Sequence, residues 1–172
     1  MQKITHLALL AAAFVGASAH AEVYVEGNYY MGKLSGDHGY TSDPKVTSLR
    51  GIVGYGLHPN LAVEGALGYG LGSTTVDGDT LKQKLSYGFY VKPRYQVTNE
   101  LEVFARLGYL KDGGETSNST GSDKFTNGTT AWGLGANYAV TKNVYLSSSY
   151  GQTYKKDGMK INGLSLGVGY RF

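Results

Sequence analysis

The sequence predicts an all-β chain: an eight-stranded antiparallel up-and-down transmembrane β-barrel. Three observations carry this. From Glu22 onward apolar or aromatic residues recur at every second position, and the i, i+3, i+4 stripes of an amphipathic helix are absent. The alternating runs are joined by connections that are by turns short and long, as at the two rims of such a barrel. The parity opposite the apolar one collects both the glycines and the charges. Composition narrows the class further. The 172 residues include 26 Gly, 15 Tyr, 3 Pro and no Cys. That much glycine without a G-X-Y period or abundant Pro excludes collagen and Pro-rich disorder. The lack of Cys excludes a disulfide framework and Cys-ligated zinc. A near-neutral mean hydropathy excludes a helical membrane protein but not a barrel, which shows lipid only every second residue.

Residues 1–21 read as a cleaved secretory signal peptide. Lys3 supplies the positive end and Leu7 to Val15 a short apolar run. Ala17-Ser18-Ala19 and Ala19-His20-Ala21 both suit the peptidase, and alternation beginning at Glu22 favours cleavage after Ala21. The apolar run is well short of the roughly 20 residues that a spanning helix needs. Removing 21 of the 172 residues leaves a barrel domain of 151, residues 22–172, and losing Lys3 lowers the net charge from +3 to +2.

Eight runs follow in order. The first, Glu22 to Leu34, sets Val23, Val25, Tyr29 and Met31 against Tyr24, Glu26, Asn28 and Tyr30. The second sets Leu49, Val53, Tyr55 and Leu57 against Ser48, Arg50, Gly54 and Gly56. The third sets Leu61, Val63, Leu67 and Tyr69 against Ala62, Glu64, Ala66 and Gly68. In the fourth, Leu85, Tyr87, Phe89, Val91 and Tyr95 oppose Ser86, Gly88, Tyr90, Lys92 and Arg94. In the fifth, Leu101, Val103, Leu107 and Tyr109 oppose Glu102, Phe104, Arg106 and Gly108. The sixth has Trp132, Leu134, Tyr138 and Val140 against Ala131, Gly133, Gly135 and Asn137. The seventh, with Val144, Leu146, Tyr150 and Tyr154, is interrupted by Ser148 and Gln152. The eighth sets Leu164, Leu166, Val168, Tyr170 and Phe172 against Ser165, Gly167, Gly169 and Arg171.

Short turns are expected at His58-Pro59-Asn60, Gln96 to Glu100 and Thr141-Lys142-Asn143, on the periplasmic rim. Longer polar loops are expected at Ser35 to Lys45, Gly72 to Thr80, Lys111 to Asn127 and Lys155 to Lys160, on the outer rim. Energy decides which face meets lipid. A Lys or Arg at the lipid midplane costs about 2–4 kcal/mol. The charged parity is therefore the lumen, where the glycines make room for long side chains. A charge network is expected there from Glu26, Arg50, Glu64, Lys92, Arg94, Glu102, Arg106 and Arg171. The apolar parity carries rings toward the strand ends. Tyr55, Tyr95 and Tyr138 fall near the short turns, and Tyr29, Tyr69, Tyr109, Trp132 and Tyr150 near the loops, as two interfacial girdles. A soluble lipocalin-type barrel is the competing reading. It leaves the ring placement and the glycines of the polar face without a reason.

The runs resemble the small outer-membrane barrels of the OmpA, OmpX and neisserial surface protein type, over Glu22 to Phe172. The most specific element is the last strand, where Leu164, Leu166, Val168, Tyr170 and Phe172 alternate up to a terminal Phe. Such a strand is similar to the signal read by the outer-membrane assembly machinery. His58-Pro59-Asn60-Leu61-Ala62-Val63-Glu64 and Val91-Lys92-Pro93-Arg94-Tyr95 resemble the family's turn-and-strand phrases. The resemblance implies an integral protein of the bacterial outer membrane, in contact with its lipid and lipopolysaccharide. The peptidoglycan-binding domain of full-length OmpA has no counterpart, so wall anchoring is not expected.

Three functional readings follow. The first is a structural or adhesive barrel, monomeric, that meets host or environmental surfaces through its loops. The second is a narrow low-conductance pore, in which a Glu-Arg pair, Glu64 with Arg50 or Arg106, switches partners as the resemblance to OmpA allows. The third is a lipid A-modifying enzyme, for which His38 near Ser35, Asp37 and Ser42 is the sole candidate base, since His58 sits in a turn. That set lies in a Gly-rich loop rather than on rigid elements, so no catalytic residue is assigned and the chain is read as a non-enzyme. No cofactor or metal is expected. Asp77-Gly78-Asp79-Thr80 lacks the further oxygens of a calcium loop. Asn118-Ser119-Thr120 and Asn127-Gly128-Thr129 match a glycosylation pattern but read as loop sequence. Lys155, Lys156 and Lys160 form a basic tip suited to lipopolysaccharide phosphates or to solvent. With the rings on the lipid face and little net charge, no nucleic acid partner is expected.

Overall fold

A computed structural model describes residues 22–36, 45–76, 79–118, 121–156 and 158–172. Its regular elements are all strands: β1 (Val23–Ser35), β2 (Lys45–His58), β3 (Leu61–Gly70), β4 (Ser73–Val76), β5 (Asp79–Gln96), β6 (Leu101–Asn118), β7 (Gly121–Ala139), β8 (Val144–Lys156) and β9 (Met159–Arg171). β3 and β4 lie along the same neighbour, β5, and share one place in the wall, interrupted at Leu71-Gly72. Every adjacent pair is antiparallel, and β1 closes the ring on β9 from Tyr24↔Arg171 to Ser35↔Lys160. The result is the eight-stranded up-and-down barrel expected from the alternation. Closure answers the hydrocarbon phase, which offers no partner for an unpaired N–H or C=O.

Two of the short turns share one plan. Val97 N donates to Leu101 O at 2.8 Å and Val140 N to Val144 O at 2.9 Å. The next residue in each is a threonine whose hydroxyl accepts the returning amide, Leu101 N or Val144 N, at 3.0 Å. A Val-Thr pair therefore closes both turns by a local side-chain mimic of a backbone bond.

The outer connections correct the expectation of long loops. Lys111 to Asn127 continues the ladder, from Lys111↔Gly128 to Asn118↔Gly121. Lys155↔Lys160 and Lys156↔Met159 are likewise paired, with Gly158 at a φ of 78° in the turn, where a left-handed backbone favours glycine. β4, which falls inside the expected Gly72 to Thr80 loop, pairs with Asp79–Lys82 of β5. Ladder bonds are made by the main chain. Once a strand leaves lipid neither face has to be apolar, so the period-two signal fades while the strand goes on. Of the expected loop from Ser35 to Lys45, residues 37–44, including His38, lie outside the described residues.

Sidedness is unambiguous. Glu64 is 3% exposed, Arg106 5% and Lys92 1%, whereas Leu166 is 46% and Phe89 61% exposed. Apolar side chains face out and ionic ones face in, the reverse of a soluble barrel. The inner glycines are steric devices. A Cβ on Gly54 would overlap the ring of Tyr24, and one on Gly169 the ring of Tyr145.

Candidate functional site

The lumen is built in layers, set by successive inward positions. Its centre is Arg106 of β6. The Nε donates to Glu64 Oε2 at 2.7 Å, and Nη2 donates to Glu64 Oε1 at 3.1 Å and to Glu26 Oε1 at 3.0 Å. The Tyr24 hydroxyl donates to Glu64 Oε1 at 2.7 Å, the Tyr145 hydroxyl to Glu26 Oε2 at 3.0 Å, and Asn28 Nδ2 to Glu26 Oε1 at 2.8 Å. Lys92 Nζ stands 3.6 Å from both Glu64 and Glu102. The Phe104 ring meets two cations, with Lys92 Nζ at 4.5 Å and Arg106 Cζ at 4.6 Å from its centroid. Two carboxylates held this deep are tolerable because charged and hydroxyl donors take up their lone pairs.

Below this layer, at the short-turn rim, Arg94 Nη1 lies 2.8 Å from Glu22 Oε2 and 3.6 Å from Glu102 Oε2. Arg171 Nε lies 2.9 Å from Glu22 Oε1, and its Nη2 lies 3.4 Å from Glu102 Oε2. Asn137 Nδ2 donates to Glu102 Oε1 at 2.8 Å. Arg94 Nε also donates to the Pro59 carbonyl at 3.0 Å, tying the rim to the β2–β3 turn. The four acids Glu22, Glu26, Glu64 and Glu102 meet the four bases Lys92, Arg94, Arg106 and Arg171, so the two layers together are neutral.

Above the centre the chemistry changes. Ile52, Ala66, Tyr90, Leu110 and Ala131 form an apolar layer. A cavity of about 40 Å³ adjoins it, lined among others by Tyr30, Arg50, Ser86 and Ser165, enough for a water or two. Arg50 Cζ sits 4.0 Å over the ring of Tyr30, and its buried Nε has no hydrogen-bond partner among the described residues.

Seven of the eight expected lumen charges thus lie in one connected network: Glu26, Glu64, Lys92, Arg94, Glu102, Arg106 and Arg171. Arg50 is placed apart from it, in the upper lumen. Of the two partners weighed for Glu64, Arg106 is the one in contact. Glu22, Tyr24 and Tyr145 were missed as members. Glu22 heads the first run on the polar parity, and that parity was the available signal. The expected ring residues face outward. Tyr69 and Tyr95 are well exposed, and Tyr55 is half-buried. In the terminal strand the rings of Tyr170 and Phe172 meet edge to face at 5.0 Å, with Leu164, Leu166 and Val168 on the same outer face. His58 Nδ1 accepts the Asn60 amide at 3.2 Å within its turn.

A closed ring with an apolar exterior and paired charges in its interior defines a small transmembrane β-barrel. The chain belongs to the outer membrane protein beta-barrel domain family, whose model matches residues 5–172. It is an integral protein of the outer membrane. No curated protein matches the chain. Among solved structures it is similar to Ail, the attachment invasion locus protein of Yersinia pestis, at a TM-score of 0.69 and 19% identity over 88% of this chain and 99% of that one. Neisserial surface protein A aligns at 0.68 with 20% identity, over 87% of this chain and 97% of its own. The N-terminal barrel of Pseudomonas aeruginosa OprF aligns at 0.63 with 17% identity, over 87% and 97%. At these identities the likeness is one of fold.

Proposed function

We propose that this barrel acts by surface interaction, presenting its outer hairpins to host or environmental surfaces, while the ion-filled lumen is a structural plug. The observation that carries the reading is the overshoot of the β6–β7 hairpin. Its strands run 18 and 19 residues, against about 9 to 11 needed to cross a bilayer. The excess is paired backbone, a stiff platform on which a binding surface can be held. Ail, an attachment protein by name, has the same fold and has been solved in complex with the heparin analogue sucrose octasulfate. That supports attachment, with an anionic glycan as the first ligand to try. The chain is read as a non-enzyme.

The test has two arms. Cells displaying the protein are expected to adhere to immobilised heparin or host-cell layers, and deletion of residues 113–126 to abolish adhesion while leaving the heat-modifiable gel mobility of the folded barrel unchanged. Planar-bilayer recordings are expected to stay silent. Steady openings abolished by Glu64→Ala would replace this reading with a narrow pore, and release of fatty acid from lipid A would replace it with an enzyme.

A further inference from the structure

The bases of the lower lumen all have acids beside them. Lys92, Arg94, Arg106 and Arg171 each stand within 3.6 Å of a carboxylate oxygen. Arg50 does not. Among the described residues it forms no ion pair, its Nε is buried without a hydrogen-bond partner, and its guanidinium rests on the ring of Tyr30.

Register accounts for the isolation. Asn28 of β1, Arg50 of β2, Gly68 of β3 and Ser86 of β5 stand side by side in one row across the wall. The next member of the row is Asp112 of β6, three strand spacings of about 4.8 Å from Arg50, and it has an interaction of its own. Between Arg50 and Ser86 the row carries only Gly68. A Cβ there would overlap the Ser86 hydroxyl and press on Arg50 Cγ, so the glycine keeps a space open beside the arginine. Arg50, Gly68 and Ser86 line the cavity of about 40 Å³ together with Thr153, Ser165 and Arg106. Arg106 is taken up by Glu26 and Glu64, which leaves Arg50 as a fixed positive charge in the cavity wall.

We infer that this cavity binds one small monovalent anion of halide size, held by Arg50 with the hydroxyls of the cavity wall as further donors. A half-buried cation without a counter-charge is costly, and water in the cavity solvates it without neutralising it. Room for a water or two admits a halide and excludes a sugar carboxylate or a phosphate ester. Arg50 keeps some exposure although it faces inward, so solvent and its ions reach it. The bound anion does for the upper lumen what Glu22 does for the lower: it balances the charge. The inference stands apart from the attachment reading, since it concerns the lumen and not the β6–β7 hairpin.

The test uses the full mature chain refolded in detergent micelles, with sodium bromide replacing sodium gluconate at constant ionic strength. Gluconate is too large for the cavity. The unfolding equilibrium constant of the wild type is expected to fall about threefold along a one-site curve as bromide replaces gluconate. In crystals grown from bromide, an anomalous peak is expected beside the Arg50 guanidinium. Arg50→Met is expected to lose both the bromide dependence and the peak. Gly68→Ala closes the space while leaving the charge, and is expected to lose them too. Gel mobility reports folding. Should Arg50→Met fail to fold, Gly68→Ala and the wild-type peak decide. Equal stability of the wild type in the two salts overturns the inference, and so does a cavity that shows water and no anomalous peak. A bromide dependence that survives unchanged in folded Arg50→Met overturns it as well.

Discussion

The two halves of the lumen solve the same packing problem differently. Toward the short turns four acids and four bases are locked together, and Arg106 touches both Glu26 and Glu64. Toward the hairpins an apolar layer, a small cavity and Arg50 over Tyr30 take their place. Charges taken from water are tolerable in a set that balances, and the lower half achieves balance only because Glu22 completes it. The upper half avoids the requirement by carrying less charge, and is looser for it.

The largest expected effect therefore lies in the lower half. Arg106→Met strands two buried carboxylates and is expected to destabilise the folded barrel by about 3–5 kcal/mol, read from the urea midpoint in detergent or bilayer. Adding Glu26→Gln and Glu64→Gln to that variant is expected to recover most of the loss. A triple variant no better than the single one would show that the site is held by shape rather than by charge. Next in size is Gly54→Val, whose side chain collides with the Tyr24 ring. A loss of about 1–3 kcal/mol is expected, partly restored by Tyr24→Leu. The smallest effect belongs to the upper half. Arg50→Met is expected to change stability by no more than about 1 kcal/mol, the scale of the contact with Tyr30. A cost equal to that of Arg106→Met would erase the contrast between the halves.

The fold was legible because lipid imposes two rules that a sequence must obey openly: no unpaired backbone and no charge on the outer face. Parity alone puts Glu26, Glu64, Lys92, Arg94, Glu102, Arg106 and Arg171 inside, where they lie. It does not choose partners. Arg50 and Arg106 are equivalent by parity, and only their heights in the lumen, set by register, separate them. Tyr24 stands on the polar face with no task legible in the sequence, and Tyr145 is not singled out there, because their bonds reach across the lumen to strands distant in sequence. Ile52 and Leu110 break the pattern in the opposite sense, as apolar side chains turned inward above the ion pairs. The hairpins look like loops in the sequence because their polarity resembles irregularity. Outside the bilayer those two properties come apart.

The seam between β1 and β9 has a consequence of its own. Every other neighbour in the ring is also a neighbour along the chain, so its pairing closes only a short stretch of backbone. β1 with β9 joins residues at opposite ends of the described chain, with Phe172 N donating to Val23 O at 2.9 Å. That junction closes the longest stretch of chain and so carries the largest single closure cost, and until it forms the sheet exposes two raw edges at once. The β1–β9 pairing is thus expected to form last in assembly, closing a curling ribbon into a ring.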